Sequence, residues 1–380
     1  MFSDRTARSR AHNALALAVE ERARRDPPLL DLTVSNPTAA GLPYDAAAIR
    51  EALGSADGLR YAPNPLGLEP ARRAVAEALR LPGADHVVLT ASTSEAYAFL
   101  FTLLCDPGDD VLVPRPSYPL IELLAGLGAV TTRPYDLRYD GEWYLDAGSL
   151  DRVRTPRTRA LLSVSPNNPT GGYLRQAELE AALDRGLPVV VDAVFARYAL
   201  DGCPEAAAPL DATRGLVFTM GGLSKHVGLP QMKLAWIVVS GEPALRDEAI
   251  ARLELIADSF LSVSTPTQAA TPALLRHGRV TADAIAARTA RNLRALRAGL
   301  DAASPATCLR VEGGWYAPLR LPRTQSDDAW AHALLEVGVR VQPGWLYDFA
   351  TDDHLVVSLL TEPSVFDEGI ERLHDRLARG

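Results

Sequence analysis

The chain is poor in cysteine, in lysine and in long apolar runs. Its three cysteines, Cys105, Cys203 and Cys308, lie far apart and form neither a CxxC pair nor a Cys/His cluster with zinc spacing. We therefore expect no disulfide framework and no metal site, and a reducing compartment fits this composition. No apolar run reaches the ~20 residues that a membrane-spanning helix needs.

Charge and length narrow the class of protein further. Lys and Arg number 39, and Asp and Glu 47, in 380 residues, so the net charge is −8. A chain this acidic is not expected to bind nucleic acid or an anionic membrane. Its hydrophobic fraction of 47% and charged fraction of 23% are typical of a soluble globular enzyme. The length predicts one large domain and a smaller one.

The first 25 residues are rich in arginine but do not have the pattern of a targeting segment. They contain Asp4, Glu20 and Glu21 and lack the apolar stretch of a secretory leader. We interpret residues 3–25 as an exposed amphipathic helix, and we expect the protein to be cytoplasmic.

Short runs rich in valine and leucine alternate with helical stretches between residues 85 and 239. The pattern predicts strands at 85–89, 110–113, 158–164, 187–191, 215–220 and 235–239, and helices at 95–104, 121–127 and 176–185. Nearly continuous apolar strands separated by helices are typical of a parallel sheet covered on both faces, so the fold class is α/β. In such sheets ligands bind beyond the carboxyl ends of the strands.

The pattern changes after residue 240. Long helices are predicted at 242–259 and 280–303, and the second has the length of a connector between domains. Short strands at 308–312, 338–342 and 354–360 then mix with helices at 327–337 and 364–376, which predicts a smaller α+β domain. We divide the chain into an N-terminal arm that joins the small domain (1–45), a large domain (46–275) and the small domain (276–380).

Polar clusters follow several of the predicted strands. Residues 90–95 (TASTSE) make either an anion site at a helix start or an ordinary helix cap. Tyr118, in a proline-rich turn, belongs either to a surface loop or to a site where its ring stacks on a planar ligand. Asn168 lies in a turn-forming loop and has an amide that can face a ligand. Asp192 ends an apolar strand, where a carboxylate needs a partner or serves as a helix cap.

Lysine is rare, since the chain has only Lys225 and Lys233. Lys225 follows the fifth predicted strand, in the segment 221–233. Unlike an arginine, a lysine can lose its proton and attack a carbonyl carbon. Lys225 is therefore a candidate nucleophile.

In this order the clusters resemble one family closely, the fold-type I pyridoxal phosphate enzymes of the class I and II aminotransferase group. The resemblance extends over nearly the whole chain. Its most specific parts are residues 168–171 (NPTG), then Asp192, then Ser224 and Lys225 with a basic residue eight positions later. The resemblance implies a large cofactor-binding domain with a mainly parallel sheet of the seven-stranded type, and a smaller α+β domain.

The resemblance also implies roles for individual residues around the cofactor. Lys225 matches the lysine that forms a Schiff base with pyridoxal phosphate and then acts as the general base. Asp192 matches the carboxylate that keeps the pyridine nitrogen protonated. Asn168 matches the amide that contacts the phenolic oxygen, and Tyr118 matches the ring that stacks on the cofactor.

Five further residues match the family's phosphate contacts. Thr93 and Ser94 match the helix start that binds the phosphate, and Ser224 and Lys233 match additional contacts. Tyr61 resembles the tyrosine that reaches the phosphate of a partner subunit. This last match implies a homodimer with shared active sites.

The sequence departs from the family pattern at four positions. Lys233 stands where an arginine binds the phosphate, Gly222 stands where a serine or threonine is common, and Phe195 stands where a tyrosine is usual. Val356 replaces the arginine that clamps the substrate carboxylate, so either another basic group takes over or the substrate is not an ordinary α-amino acid. Arg320 is our first candidate for that group.

Two other residues are candidates for a substrate contact. Arg340 is the second basic candidate after Arg320, and Asn36 is a polar candidate. The aromatic residues Trp315, Trp345 and Tyr347 either line the pocket or pack in the core of the small domain.

The leading hypothesis is an aminotransferase that moves an amino group between an amino acid or amine and a 2-oxo acid through a Lys225 Schiff base. Lyases, racemases and synthases use the same scaffold and remain alternatives, because a fold does not fix a reaction. A non-catalytic regulatory protein that binds pyridoxal phosphate is disfavoured, because no DNA-binding module is appended. A nicotinamide-dependent dehydrogenase is also disfavoured, because no GxGxxG follows an early strand.

Overall fold

The structure, a computed structural model, describes residues 2–6, 13–61, 63–300 and 304–379. The strands are β1 Leu30–Asp31, β2 Val87–Thr90, β3 Asp110–Arg115, β4 Thr131–Tyr139, β5 Trp143–Leu145, β6 Thr158–Val164, β7 Val189–Asp192, β8 Leu216–Gly222, β9 Ala235–Gly241, β10 Thr307–Cys308, β11 Tyr316–Arg320, β12 Val339–Arg340, β13 Gln342–Pro343 and β14 His354–Ser358. The helices are α1 Ala14–Arg22, α2 Ala46–Leu53, α3 Glu69–Leu79, α4 Thr93–Leu104, α5 Leu120–Leu127, α6 Ala147–Val153, α7 Gln176–Asp184, α8 Leu223–His226, α9 Pro243–Phe260, α10 Thr265–His277, α11 Arg279–Gly299, α12 Asp327–Glu336 and α13 Pro363–Ala378.

An eight-stranded sheet organises the larger part of the chain, with strand order β2-β9-β8-β7-β6-β3-β4-β5. The central pairs β8/β7, β7/β6, β6/β3 and β3/β4 are parallel. β9 runs antiparallel to both of its neighbours, and β5 runs antiparallel to β4. Six strands therefore point the same way, and their carboxyl ends share one edge of the sheet.

Both faces of this sheet are buried, and alternate residues of each strand supply the two cores. In β9, Ile237 and Val239 pack into the cluster that contains Phe99 and Leu253 of helices α4 and α9. Trp236 and Val238 pack on the opposite face, in the cluster that α3 and α10 cover. Because every second position is buried on each side, the strands have a nearly continuous apolar sequence.

The sequence analysis missed two strands of this part, β4 and β5, and several helices, among them α3 and α10. β4 has the sequence TTRPYDLRY and is mostly half-buried, so its arginines and proline hide the strand pattern. β5 has only three residues and pairs with β4 at the sheet edge. These two raise the sheet to eight strands rather than the expected seven. α10 was missed because it contains Pro266 in its first turn and Pro272 inside.

The C-terminal part of the chain forms a second layer around the antiparallel sheet β10-β11-β14-β13. Helices α11, α12 and α13 cover it, and its apolar cluster includes Trp330, Leu355 and Phe366. The predicted long helix at 280–303 is observed as α11 and ends at Gly299, and residues 301–303 lie outside the described residues.

The N-terminal segment packs on this second layer. β1 pairs in parallel with β12, and Leu15 of α1 lies in the same apolar cluster. Most of α1 is exposed or half-buried, in line with the predicted exposed amphipathic helix, and Leu15 is its one buried residue. Residues 7–12 of that prediction lie outside the described residues. The division of the chain at residues 45 and 275 stays a proposal, and residue 275 lies within α10. None of the described helices is both long and apolar enough to cross a membrane.

A buried ion pair joins the second layer to the loop that follows β6. Glu312 is 1% exposed and its carboxylate binds both Nη atoms of Arg175, at 2.8 and 2.9 Å. The same carboxylate accepts a hydrogen bond from the backbone N–H of Tyr173. Nearby, the Gly313 N–H donates to the carbonyl of Gly171, so this segment holds the loop after β6 in place.

We predict that Glu312→Ala lowers the free energy of unfolding by about 3–5 kcal/mol, because it leaves the guanidinium of Arg175 buried without its partner. Denaturant titration of the variant and wild type measures this loss. Glu142→Ala is the matched control, since that half-exposed carboxylate also contacts Arg175, at 3.3 Å, and its loss costs less than ~1 kcal/mol. Equal losses in the two variants would contradict the role given to Glu312.

Candidate active site

A cavity of about 310 Å³ lies at the carboxyl ends of the parallel strands. Asp192, Asn168, Lys225, Thr93 and Tyr118 line it, each from the segment that follows or ends a different strand. Its opposite wall comes from the second layer and the N-terminal segment, through Ser35, Tyr316, Gln342 and Tyr347. The cavity is therefore enclosed between the two layers of the molecule.

Asp192 is the last residue of β7 and lies between β6 and β8, paired in register with Val164 and Met220. Burial raises the pKa of its carboxyl to about 6. Three groups oppose this rise: the backbone N–H of Val194 at 3.2 Å, the hydroxyl of Tyr97 at 3.0 Å and the charge of Lys225. Asp192 is thus a buried carboxylate with donors on both of its oxygens, and it does not act as a helix cap.

Lys225 lies in the single turn α8, directly after β8. Burial lowers the pKa of its ammonium group to about 8, while the charge of Asp192 works in the opposite direction. The Nζ atom lies 5.0 Å from the ring centroid of Trp315 and 5.8 Å from that of Phe195. The hydroxyl of Tyr198 donates to the Lys225 carbonyl at 2.6 Å and fixes the backbone. This lysine is held in an aromatic setting and loses its proton more easily than a lysine in water.

The glycines before α8 are required by the approach of β9. A Cβ atom on Gly221 would lie 2.5 Å from the indole nitrogen of Trp236, and one on Gly222 would lie 3.0 Å from the Cβ of Ala235. β9 therefore leaves little room for a side chain at either position.

The start of α4 faces the cavity, and its cap is Ser92 rather than Thr93 or Ser94. The Ser92 hydroxyl accepts a hydrogen bond from the Glu95 N–H at 3.1 Å, and the Glu95 carboxylate accepts one from the Ala91 N–H at 2.6 Å. This reciprocal cap leaves the Thr93 side chain free to line the cavity. Tyr97, one helical turn after Thr93, lies on the same face of α4 and also lines the cavity.

Tyr97 is a site residue that the sequence analysis missed. It is buried and donates to Asp192, and the negative charge of that carboxylate adds to burial in raising the pKa of its hydroxyl. The sequence signal that could have identified Tyr97 is its position four residues after Thr93, on the same face of a helix. Ser35, Gln342 and Tyr316 were missed as well, because no motif marks them.

Asn168 lies in the loop after β6, and its amide oxygen is buried without a hydrogen-bond partner among the described residues. The preceding Asn167 shapes the loop, since its side-chain oxygen accepts from the Thr170 hydroxyl at 3.0 Å. Gly171 has φ +72°, and a Cβ there would lie 2.6 Å from Val311. The sequence of this loop is therefore set by both its turn geometry and its contact with the second layer.

The structure brings Lys225, Asp192, Asn168, Thr93, Tyr118 and Ser224 together in one cavity. Ser94, Lys233, Tyr61 and Asn36 do not line it. Lys233 is exposed with φ +51°, and Tyr61 is 76% exposed. The Asn36 side chain caps a short turn by accepting from the Thr38 N–H and hydroxyl. Their predicted roles stay predictions.

Neither arginine candidate for the substrate carboxylate reaches the cavity. Arg320 ends β11, at the far end of the strand from Tyr316, and its guanidinium lies 5.4 Å from the ring centroid of Tyr139. Arg340 forms an ion pair with Asp31 at 3.1 Å. The expectation for Arg320 failed because the register of β11, which only the folded sheet fixes, decides which end of that strand meets the cavity.

The predicted pocket aromatics divide among three environments. Tyr347 lines the cavity, and Trp315 is fully buried beside Lys225. Trp345 lines a neighbouring groove instead. Val356 is 0% exposed and packs in the same cluster as Trp315, so it offers no polar atom to a ligand.

Comparison with known proteins gives one consistent family. A family model described as "Aminotransferase class I and II" matches residues 27–373. Relatives include nicotianamine aminotransferase 1 of Oryza sativa subsp. japonica, 31% identical over 69% of this chain and 56% of that protein. The alanine aminotransferase of Mycobacterium bovis is 25% identical over 91% of this chain and 84% of that protein.

The first curated relatives are longer proteins, and this chain spans about half of their length. Among solved structures, a double mutant of the Thermus thermophilus aspartate aminotransferase is similar, with a TM-score of 0.83. It is 25% identical, and the match covers 99% of this chain and 100% of that one. This similarity confirms the predicted fold class.

We predict that an amine-selective reagent modifies Lys225 of the cofactor-free protein with a midpoint near pH 8, well below the value for a lysine in water. Peptide mass spectrometry measures the labelling at each pH, and the exposed Lys233 is the internal reference. Because the charge of Asp192 raises the pKa of Lys225, Asp192→Asn shifts the midpoint to lower pH. A midpoint near 10, or one that Asp192→Asn leaves in place, contradicts this account of the site.

Proposed function

The chain belongs to the class I and II aminotransferase family, and we propose that it is an aminotransferase that moves an amino group between an amino compound and a 2-oxo acid. Pyridoxal phosphate is the cofactor of this family. The observation that carries the proposal is the placement of Lys225 and Asp192 in one cavity, with the pKa of the lysine lowered to about 8.

The residues of the cavity fit this cofactor. The buried carboxylate of Asp192 suits a protonated ring nitrogen, and the unpartnered amide of Asn168 suits a polar ring substituent. The start of α4 and the hydroxyls of Thr93 and Ser224 suit a phosphate, because helix N-termini favour anions. The half-exposed ring of Tyr118, 48% accessible, is available to stack on the cofactor.

Pyridoxal phosphate supplies an aldehyde and a conjugated ring that can accept the electron pair left when a carbon loses its proton. Lys225 is the residue that would hold the aldehyde carbon, through its Nζ atom. Once an amino substrate had displaced it, the free Nζ would be the base that accepts the proton of the substrate carbon. Half of the lysine is neutral near pH 8, whereas an ordinary lysine, with a pKa of 10.5, is almost wholly charged there.

Asp192 keeps its charge through the hydrogen bonds from Tyr97 and Val194, which lower its pKa against the effect of burial. A charged carboxylate at this point would favour a protonated ring nitrogen in the bound cofactor. Trp315 and Phe195 exclude water from one side of the Lys225 amine. Exclusion of water strengthens these electrostatic contacts.

We further propose a homodimer with shared sites, in the cytoplasm. Tyr61 and Leu59 are exposed apolar side chains, 76% and 89% accessible, in the segment whose tyrosine resembles the family's contact to a partner phosphate.

The cysteines support the proposed cytoplasmic location. None of the three cysteines is paired, which fits a reducing compartment.

We predict that Lys225→Ala lowers the turnover number by at least ~10²–10⁴-fold, since it removes the general base. The measurement is conversion of the bound cofactor between its two absorbing forms with a panel of amino donors, followed by turnover with a 2-oxo acid. The variant is expected to keep bound cofactor, because Asp192, Asn168 and Thr93 remain.

Arg320→Ala is the control for this experiment, because Arg320 lies outside the cavity and its loss should leave turnover unchanged. Multiple turnovers by Lys225→Ala would overturn the proposed function. A wild-type protein that binds cofactor but converts it with no donor would also contradict it.

A further inference from the structure

The Lys225 amine lies beside two aromatic rings. Its Nζ atom is 5.0 Å from the ring centroid of Trp315 and 5.8 Å from that of Phe195. Both distances fall within the ~6 Å over which the face of an aromatic ring attracts a cation. Burial withdraws water from the ammonium form of Lys225 and lowers its pKa to about 8. The two rings therefore lie where a lysine in solution has water.

Among the described residues that line the cavity, Asp192 is the other charged group that faces Lys225. Burial lowers the pKa of the adjacent His226 to about 4, so this imidazole is neutral at pH 8. The remaining titratable side chains of the cavity are Tyr97, Tyr118, Tyr316 and Tyr347. Burial raises the pKa of the three fully enclosed phenols in this list above the usual value. Asp192 and the two rings are thus the groups that favour the charged amine in the described part of the chain.

Trp315 is fully buried, and its indole nitrogen has no hydrogen-bond acceptor among the described residues. Edge contacts with Phe195 and Tyr198, at centroid distances of 5.3 and 5.2 Å, fix the ring. A buried N–H group without an acceptor is costly, and a phenylalanine would avoid that cost. Apolar packing alone therefore does not account for an indole at this position. Indole is the side chain whose face attracts a cation most strongly.

Phe195 presents a bare ring at the position where the family usually has a tyrosine. It is buried, and its ring lies edge-on to that of Trp315. A tyrosine here would carry a hydroxyl that could accept a hydrogen bond from the ammonium group of Lys225. Phe195 has no such oxygen, so its contact with the amine is made by the ring alone.

We propose that Trp315, assisted by Phe195, holds the protonated amine of Lys225 by cation–π attraction and so helps this lysine to accept a proton from the substrate carbon. The catalytic part rests on the proposed function, in which Lys225 is the base. In that step the C–H bond breaks, Nζ gains the proton and a positive charge, and the electron pair passes into the conjugated ring of the cofactor. Trp315 acts through Lys225 and is therefore a positioning residue.

The two rings matter most once the cofactor is bound. Under the proposed function, the charge of Asp192 is matched by the protonated ring nitrogen, which weakens its attraction for the Lys225 ammonium group. The attraction of Trp315 and Phe195 comes from their ring electrons and does not depend on that pairing. The rings therefore continue to favour the charged amine in the step in which Lys225 carries the proton.

The test weakens the attraction of the indole and leaves its size nearly unchanged. The full chain is produced without cofactor and with 5-fluorotryptophan in place of tryptophan, because fluorine withdraws electron density from the ring face. Labelling of Lys225 with an amine-selective reagent, read by peptide mass spectrometry, gives the midpoint pH. We expect the midpoint to fall by at least about 0.2 pH units, roughly half of the smallest shift that a complete cation–π contact provides.

An indole that acts only by excluding water gives a different result. Fluorination would then leave the midpoint in place, because the ring would still exclude water. An unchanged or higher midpoint overturns the proposal.

Trp315→Phe is the matched control, because the chain has five tryptophans. This variant keeps an aromatic ring in the buried position, and thermal unfolding checks that it folds. Fluorination of the other four tryptophans in this background should leave the labelling midpoint unchanged. An equal fall in the Trp315→Phe background assigns the effect to another tryptophan and overturns the proposal.

The holoenzyme tests the catalytic part. A donor deuterated at its reacting carbon makes proton transfer limit the single-turnover rate of cofactor conversion. Fluorination should lower that rate and leave the half-saturating concentration of the donor unchanged, because Trp315 contacts the base and does not line the cavity. An unchanged rate overturns the catalytic part of the proposal.

The two readouts separate this inference from the proposed function. An unchanged midpoint in an enzyme that converts its cofactor overturns the present inference and leaves the aminotransferase function intact. A midpoint that falls on fluorination, in a protein that converts its cofactor with no donor, overturns the function and leaves the contact between Trp315 and Lys225 intact.

Discussion

The site depends on the burial of one carboxylate and one amine at the ends of neighbouring strands. Asp192 ends β7, and Lys225 follows β8, the strand that pairs with β7 in parallel. Burial disfavours the charged form of each group, whereas their mutual attraction favours both charged forms. The balance brings the two pKa values to about 6 and about 8, close to the pH at which proton transfer is needed.

The second layer completes what the parallel sheet begins. The segment around Glu312 fixes the loop that carries Asn168, through a buried ion pair with Arg175 and a backbone bond to Gly171. The same layer places Trp315 beside the Lys225 amine and supplies Tyr316, Gln342 and Tyr347 to the cavity. The large sheet thus provides the charged chemistry, and the second layer provides enclosure and uncharged contacts.

The residues that follow strands were predictable, and the residues that depend on packing between layers were not. Asp192 and Lys225 follow apolar strands whose direction fixes the edge at which they meet, so the sequence order was enough to place them together. Arg320 ends β11, and the pairing of β11 with β14 turns that end of the strand away from the cavity. Gln342 had no motif at all, because its position depends on its register with Val356.

The central claim is that Lys225 is the residue that binds the cofactor. The chain has only two lysines, so reduction of the cofactor-loaded protein with borohydride and peptide mass spectrometry give a clear answer. We predict a single stable adduct on Lys225 and none on the exposed Lys233. An adduct on Lys233, or none on either lysine, would contradict the account.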